Sequence, residues 1–168
     1  DADCLGEKEL RTLEIVKAAI QNGERALIYT SWVRTDSQQK LKKLLTDEGY
    51  RTEILTDKIK TTDREEWVQK KLAAGMQVLI VNPSLVETGL DLNAFTTLVF
   101  YSMGYKLFTL RQASRRSWRI NQKGPAVKVY MLYYEDTMQQ KCLKLMASKL
   151  AVAGLIEGNF SEEGLAAM

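Results

Sequence analysis

The sequence predicts an α/β fold, with a mainly parallel central sheet covered by helices on both sides in a three-layer α/β/α sandwich. Three observations carry this. Short apolar runs alternate with segments of helical periodicity along most of the chain. Several of those runs, Val78–Val81 and Thr97–Tyr101 among them, are apolar at successive positions, as strands buried on both faces must be. The 168 residues, 45% of them apolar, suit one domain large enough to bury a core.

The first twenty-odd residues read as an amphipathic helix with Leu10, Leu13, Val16 and Ile20 on one side and Asn22-Gly23 as its stop. A strand follows at Ala26–Thr30. From Asp36 to Glu48, Leu41, Leu44 and Leu45 sit at helical spacing among lysines, and Gly49 closes that helix. Arg51–Leu55 alternates like a strand. Thr62-Asp-Arg-Glu65 has the form of a capping box, and the helix it opens carries Trp67, Val68 and Leu72 before ending near Gly75. Gln77–Val81 and Thr97–Tyr101 are short buried strands, a basic helix follows the second, and Ala126–Tyr134 gives the last strand. Thr137-Met-Gln-Gln140 caps a helix with the stripe Met138, Cys142, Leu145, Met146 and Lys149. Beyond Gly154 the pattern weakens, and Ser161-Glu-Glu starts a short terminal helix. No internal repeat or low-complexity linker divides the chain.

Bulk chemistry excludes several classes of function. The chain has no histidine, and Cys4 and Cys142 belong to no Cys-x-x-Cys pattern, so the sequence predicts neither a metal site nor a disulfide framework. Its apolar runs are too short to span a bilayer and no signal-peptide pattern opens it, which makes a cytoplasmic setting without membrane attachment the default expectation. The chain starts at Asp1 without Met, as a piece cut from something longer would. Net charge is only +3, yet no acidic residue occurs from Leu92 to Tyr134. That window holds Lys106, Arg111, Arg115, Arg116, Arg119, Lys123 and Lys128, the one-signed footprint of a phosphate or nucleic-acid partner. Chance clustering is the competing reading.

Open parallel sheets bind ligands at the carboxyl ends of their strands. After Gln77–Val81 comes Asn82-Pro-Ser-Leu-Val-Glu-Thr-Gly-Leu-Asp-Leu92, where Gly89 lets a backbone approach a ligand closely and Asp91 adds a carboxylate. A turn with a satisfied Asp explains the same residues. After Thr97–Tyr101 comes Gln112-Ala-Ser-Arg-Arg-Ser-Trp-Arg-Ile-Asn-Gln122. On a helix, Gln112, Arg116 and Arg119 fall at i, i+4 and i+7 on one face. The guanidinium groups repel one another unless a polyanion compensates them. The alternative is a solvated basic helix.

The order of these segments resembles the second RecA-like domain of superfamily 2 helicases and translocases, most closely the Swi/Snf-type DNA-dependent ATPases. Ala26-Leu-Ile-Tyr-Thr-Ser-Trp32 looks like motif IV of that group, Val78–Leu92 with Thr88-Gly-Leu-Asp-Leu92 at its core looks like motif V, and Gln112–Gln122 looks like motif VI. The family form of motif VI is approximately Gln-Ala-x-Asp-Arg-x-His-Arg-Ile-Gly-Gln. Gln112, Ala113, Arg116, Arg119, Ile120 and Gln122 match it in register, whereas Arg115, Trp118 and Asn121 replace its Asp, His and Gly. The likeness runs from about Glu24 to Lys149.

The resemblance implies a RecA-like domain over 1–153, with 1–23 as leading helix, and a tail over 154–168 that braces a first RecA-like domain. It implies that Arg116 and Arg119 are arginine fingers and that Gln112, Asp91 and Gly89 serve the nucleotide. By the same likeness Ser31, Thr88, Arg115 and Lys123 meet nucleic acid, while Trp32 is either a backbone contact or core. No Gly-x-x-x-x-Gly-Lys-[Ser/Thr] loop occurs in the chain. ATP and Mg²⁺ are therefore expected to be held mainly by an N-terminal RecA-like domain of the same polypeptide, and the chain alone is expected not to hydrolyse ATP. Duplex DNA is the expected track, in the nucleoid or, in a eukaryote, the nucleus. An RNA helicase domain and a non-catalytic binding module are the other readings.

Overall fold

The computed structural model describes residues 6–30, 36–86, 90–101, 128–132 and 141. Three helices are defined among them: α1 (Glu7–Gln21), α2 (Ser37–Asp47) and α3 (Arg64–Ala73). Five four-residue strands alternate with these: β1 (Ala26–Tyr29), β2 (Thr52–Leu55), β3 (Val78–Val81), β4 (Thr97–Phe100) and β5 (Lys128–Met131). Every ladder is parallel, in the spatial order β2-β3-β1-β4-β5. Tyr29 at the end of β1 thus lies level with Val81 on one side and Phe100 on the other.

Alternation along the strands sorts the core into two layers, since successive side chains leave opposite faces of the pleat. Leu27, Tyr29, Leu79, Val81, Leu98 and Phe100 pack with Val68 of α3 and with Val86, Leu90, Leu92 and Phe95 from the connection after β3. Ala26, Ile28, Val78, Ile80 and Val99 pack instead with Ile15 and Val16 of α1 and Leu41 and Leu45 of α2. Each fully buried aliphatic contributes about 1.5–3 kcal/mol, which explains why β1, β3 and β4 carry no exposed position. Strand β5 is different: Lys128 and Val129 are exposed.

Two local expectations are corrected by the packing. Helix α1 follows the Leu10, Leu13, Val16, Ile20 stripe only in part: Val16 is fully buried and Leu13 and Ile20 pack half-buried against the core, but Leu10 is 46% exposed, and the inward face is centred on Lys8, Thr12, Ile15, Val16 and Ala19. The expected stripe advances by about 3.3 residues per turn, whereas the buried set keeps the helical 3.6. Its two polar members are satisfied on the spot, Thr12 Oγ1 donating to the Lys8 carbonyl at 2.7 Å and Lys8 Nζ to the Tyr101 carbonyl at 3.3 Å. The capping box at Thr62 does not form either. A 3-10 turn occupies Thr61–Asp63, Thr62 Oγ1 donates to Asp63 Oδ1 at 2.9 Å, and α3 starts without a side-chain cap.

The basic segment Gln112–Gln122, nearly all of the helix from Thr137, and the tail 154–168 lie outside the described residues. No described helix is long and apolar enough to cross a membrane.

Candidate functional site

Strand β1 is the centre of the sheet, flanked by β3 and β4. The chain leaves β1 toward β2 and leaves β4 toward β5, so the carboxyl ends of β1 and β4 form the topological switch point at which open parallel sheets bind their ligands. Three hydrogen bonds tie the strand ends together there. Thr30 N–H donates to the Val81 carbonyl at 3.0 Å, Tyr101 N–H to the Tyr29 carbonyl at 3.0 Å, and Leu132 N–H to the Phe100 carbonyl at 3.1 Å. Below the edge, the Tyr29 and Phe100 rings stack with centroids 4.9 Å apart and planes 18° apart.

Each connection leaves this edge from an anchored residue. Thr30 is fully buried, and its Oγ1 accepts from Gln38 Nε2 of α2 at 2.7 Å, which fixes the point where segment 31–35 begins. After β3, buried Pro83 opens a 3-10 turn, Pro83–Leu85, in which Asn82 Oδ1 accepts from Ser84 N–H at 3.0 Å and from Ser84 Oγ at 2.9 Å. Pro suits this position because its fixed φ matches the turn and its missing N–H costs nothing there. Val86 is then 0% exposed and Leu90 5%, so both shoulders of 87–89 are seated in the core. Just beyond, Asp91 Oδ1 accepts from Asn93 N–H at 3.0 Å, an Asx turn. Asn93 Oδ1 is buried without a partner.

Tyr101 begins the connection 102–127 and is gripped by α1. Its hydroxyl donates to Glu9 Oε1 at 2.6 Å, its carbonyl accepts from Lys8 Nζ, and that ammonium lies 5.9 Å from the ring centroid. Burial pushes the Lys8 amine below its ordinary pKa, with Glu9 opposing the shift. Because β4 and β5 are parallel, the chain must cross back between Tyr101 and Lys128.

Of the residues singled out from sequence, Asp91 is described, and its carboxylate is engaged in the Asx turn. Ser31, Thr88, Gly89, Gln112, Arg115, Arg116, Arg119 and Lys123 lie outside the described residues, as does Trp32, but the anchored residues Thr30, Val86, Leu90 and Tyr101 flank the segments that carry them. No group of His, Cys, Asp and Glu suited to a metal ion occurs among the described residues. Sequence reading missed Thr30, Gln38, Asn82 and the Lys8–Glu9–Tyr101 cluster. Only Asn82-Pro83, a turn signal after a strand, could have been found in advance.

A parallel sheet in the order β2-β3-β1-β4-β5, helices on both faces and connections gathered at the carboxyl edge define a RecA-like α/β domain. Residues 8–121 match the family described as helicase conserved C-terminal domain. The chain belongs to that family. Among solved structures it is similar to the C-terminal part of the Fun30 ATPase domain, with a TM-score of 0.72 and 19% identity over 83% of this chain and 44% of that one. It is also similar to the Pyrococcus furiosus Hef helicase domain, with a TM-score of 0.63 and 17% identity over 83% of this chain and 28% of that one. The chain therefore spans less than half the length of either protein chain. A sequence comparison with curated proteins gives no significant match.

Proposed function

We propose that this chain is the C-terminal motor domain of an ATP-dependent DNA translocase or helicase, closest in kind to the Swi/Snf group. ATP and Mg²⁺ sit between it and an N-terminal RecA-like domain that carries the P-loop and the acidic Mg²⁺ motif. Phosphoryl transfer accumulates negative charge on the transferred group, and arginines from the facing domain stabilise it. Arg116 and Arg119 fill that role, with Gln112 positioning them and Gly89 and Asp91 on the nucleotide side. Thr88, Ser31, Arg115 and Lys123 grip the nucleic-acid backbone. Arg115 stands where the family form has Asp, so it adds positive charge where that form orients a neighbour.

The observation that carries this reading is the convergence at one sheet edge of Thr30, the Val86 and Leu90 shoulders, and Tyr101. These residues launch the three segments whose sequences resemble motifs IV, V and VI. Family membership and the fold of the two similar structures support it. Grip on phosphate is blind to sequence and weakens steeply with salt. The test is ATP turnover by the full-length polypeptide with duplex DNA or single-stranded RNA as activator. Stimulation by DNA of any sequence, lost at high salt, is expected. Stimulation by RNA alone would move the substrate class, and no stimulation by either would leave a binding module.

A further inference from the structure

Strand β2 ends one side of the sheet, and no described segment pairs with its outer side. Val78 N–H donates to the Arg51 carbonyl at 3.1 Å, and the register sets Thr52 level with Val78 and Ile54 level with Ile80. Bonding groups alternate along a parallel ladder, so Glu53 turns its N–H and C=O toward β3 while Thr52 and Ile54 turn theirs outward. Their neighbours are committed elsewhere. Tyr50 N–H donates to the Leu45 carbonyl at 2.9 Å, and the Thr56 carbonyl accepts from Ile59 N–H at 3.3 Å. An edge of this kind is a template for another strand.

A charge cluster lies across that edge. Glu53 Oε1 sits 3.4 Å from Lys71 Nζ of α3, and Glu53 Oε2 sits 3.5 Å from Lys42 Nζ of α2. Lys71 Nζ also lies 5.7 Å from the Trp67 ring centroid. The two helices pack on opposite faces of the sheet, α3 in the layer of Leu55 and Leu79 and α2 in the layer of Ile54 and Ile80. Glu53 shares the face of Leu55, so Lys42 reaches it only around the outer side of β2. The three side chains are between 32% and 38% exposed, and ion pairs this accessible add little to the stability of the domain itself. What distinguishes them is their place.

The partner that such an edge fits is a second copy of the same strand. Antiparallel pairing about a two-fold axis uses all the open groups when Thr52 of each copy faces Ile54 of the other. That register sets Glu53 against Glu53 at the non-hydrogen-bonded position, where Cα atoms are ~4.5 Å apart and side chains come closest. Like charges directly opposite destabilise a strand pair, and the lysines of both copies gather round the same axis.

We propose that Glu53, Lys42 and Lys71 hold the edge of β2 shut against a second copy of this chain. Strand pairing through Thr52 and Ile54 is open to the fold and blocked by the cluster. This role is independent of the nucleotide and nucleic-acid roles proposed above.

The test is sedimentation velocity over a concentration series, with residue-resolved amide exchange by NMR, on the wild type and on variants of the chain. The triple variant Lys42→Ser, Glu53→Thr, Lys71→Ser lacks the cluster. It is expected to dimerise with a dissociation constant at least ~10-fold below the wild type's, and exchange at the Thr52 and Ile54 amides should slow as the dimer fills. Adding Thr52→Pro removes an outward N–H and should abolish that dimer. Glu53→Thr alone leaves the ammonium groups facing one another, so it should pair only near ~1 M salt, where the screening length is ~3 Å. The wild type should stay monomeric at both salt levels. The proposal is overturned if the folded triple variant associates no more than the wild type, if its association leaves the Thr52 and Ile54 amides unprotected, or if the wild type pairs through them. Should the triple variant fail to fold, Glu53→Thr decides: salt-dependent protection of those two amides supports the proposal, and its absence overturns it.

Discussion

Replacing Phe100 by alanine probes the packing on which the carboxyl edge depends. Phe100 is 3% exposed, lies level with fully buried Tyr29 in the β1–β4 ladder, and stacks on it at 4.9 Å. Truncating a buried Phe costs about 3–5 kcal/mol, from lost transfer energy plus the cavity left behind. Of this, about 0.5–1.5 kcal/mol is the ring-on-ring term. Domains are stable by only ~5–15 kcal/mol, so the variant loses a large fraction of its margin. For a chain of this size the melting temperature should fall by roughly 6–20 °C, at ~2–4 °C per kcal/mol. The assay is guanidinium denaturation followed by circular dichroism, with the m-value checked, since a midpoint shift at constant m reports stability. Phe100→Leu keeps most of the volume and should lose less than about 1.5 kcal/mol. A loss below ~1.5 kcal/mol for Phe100→Ala at unchanged m would refute the packing argument.

Gly75 and Gly49 both hold positive φ, 94° and 91°, so alanine at either costs about 1–2 kcal/mol of backbone strain. At Gly75 the new Cβ would also lie 2.5 Å from Arg51 Nη1, which donates to the Ala74 carbonyl at 2.7 Å. Gly75→Ala should therefore lose about 0.5–1.5 kcal/mol more than Gly49→Ala, and equal losses in thermal melts would contradict that. Lys8 supplies a pH prediction. Its folded pKa lies below the unfolded 10.5, so between the two values the unfolded chain binds more protons and stability rises with pH. The wild type should gain on Lys8→Met as pH climbs toward 10.5, in matched denaturant titrations; a difference that falls with pH would contradict burial of this amine.

The sheet was legible because β1, β3 and β4 are buried on both faces and so spell short, continuous apolar runs bounded by polar or glycine-containing turns. Helix ends were legible where Gly49 and Gly75 supply a conformation other residues resist. The inward face of α1 was not, because Lys8 and Thr12 face inward only by virtue of partners, one of them Tyr101, far off in sequence. The capping box misled because Thr62 found a nearer acceptor in Asp63. At the carboxyl edge, the Asn82-Pro83 turn and the Asp91 turn could be read locally. The pairing of Thr30 with Gln38 depends on how the chain turns back from β1 onto α2, which no spacing rule encodes.

The arginine finger is the centre of the proposed mechanism. Single-turnover ATP hydrolysis by the full-length polypeptide, with saturating duplex DNA and with nucleotide binding measured alongside, isolates it from assembly and affinity. Arg119→Ala should slow the chemical step by ~10³–10⁵ while nucleotide and DNA binding persist. Hydrolysis at the wild-type rate in that variant would contradict the account.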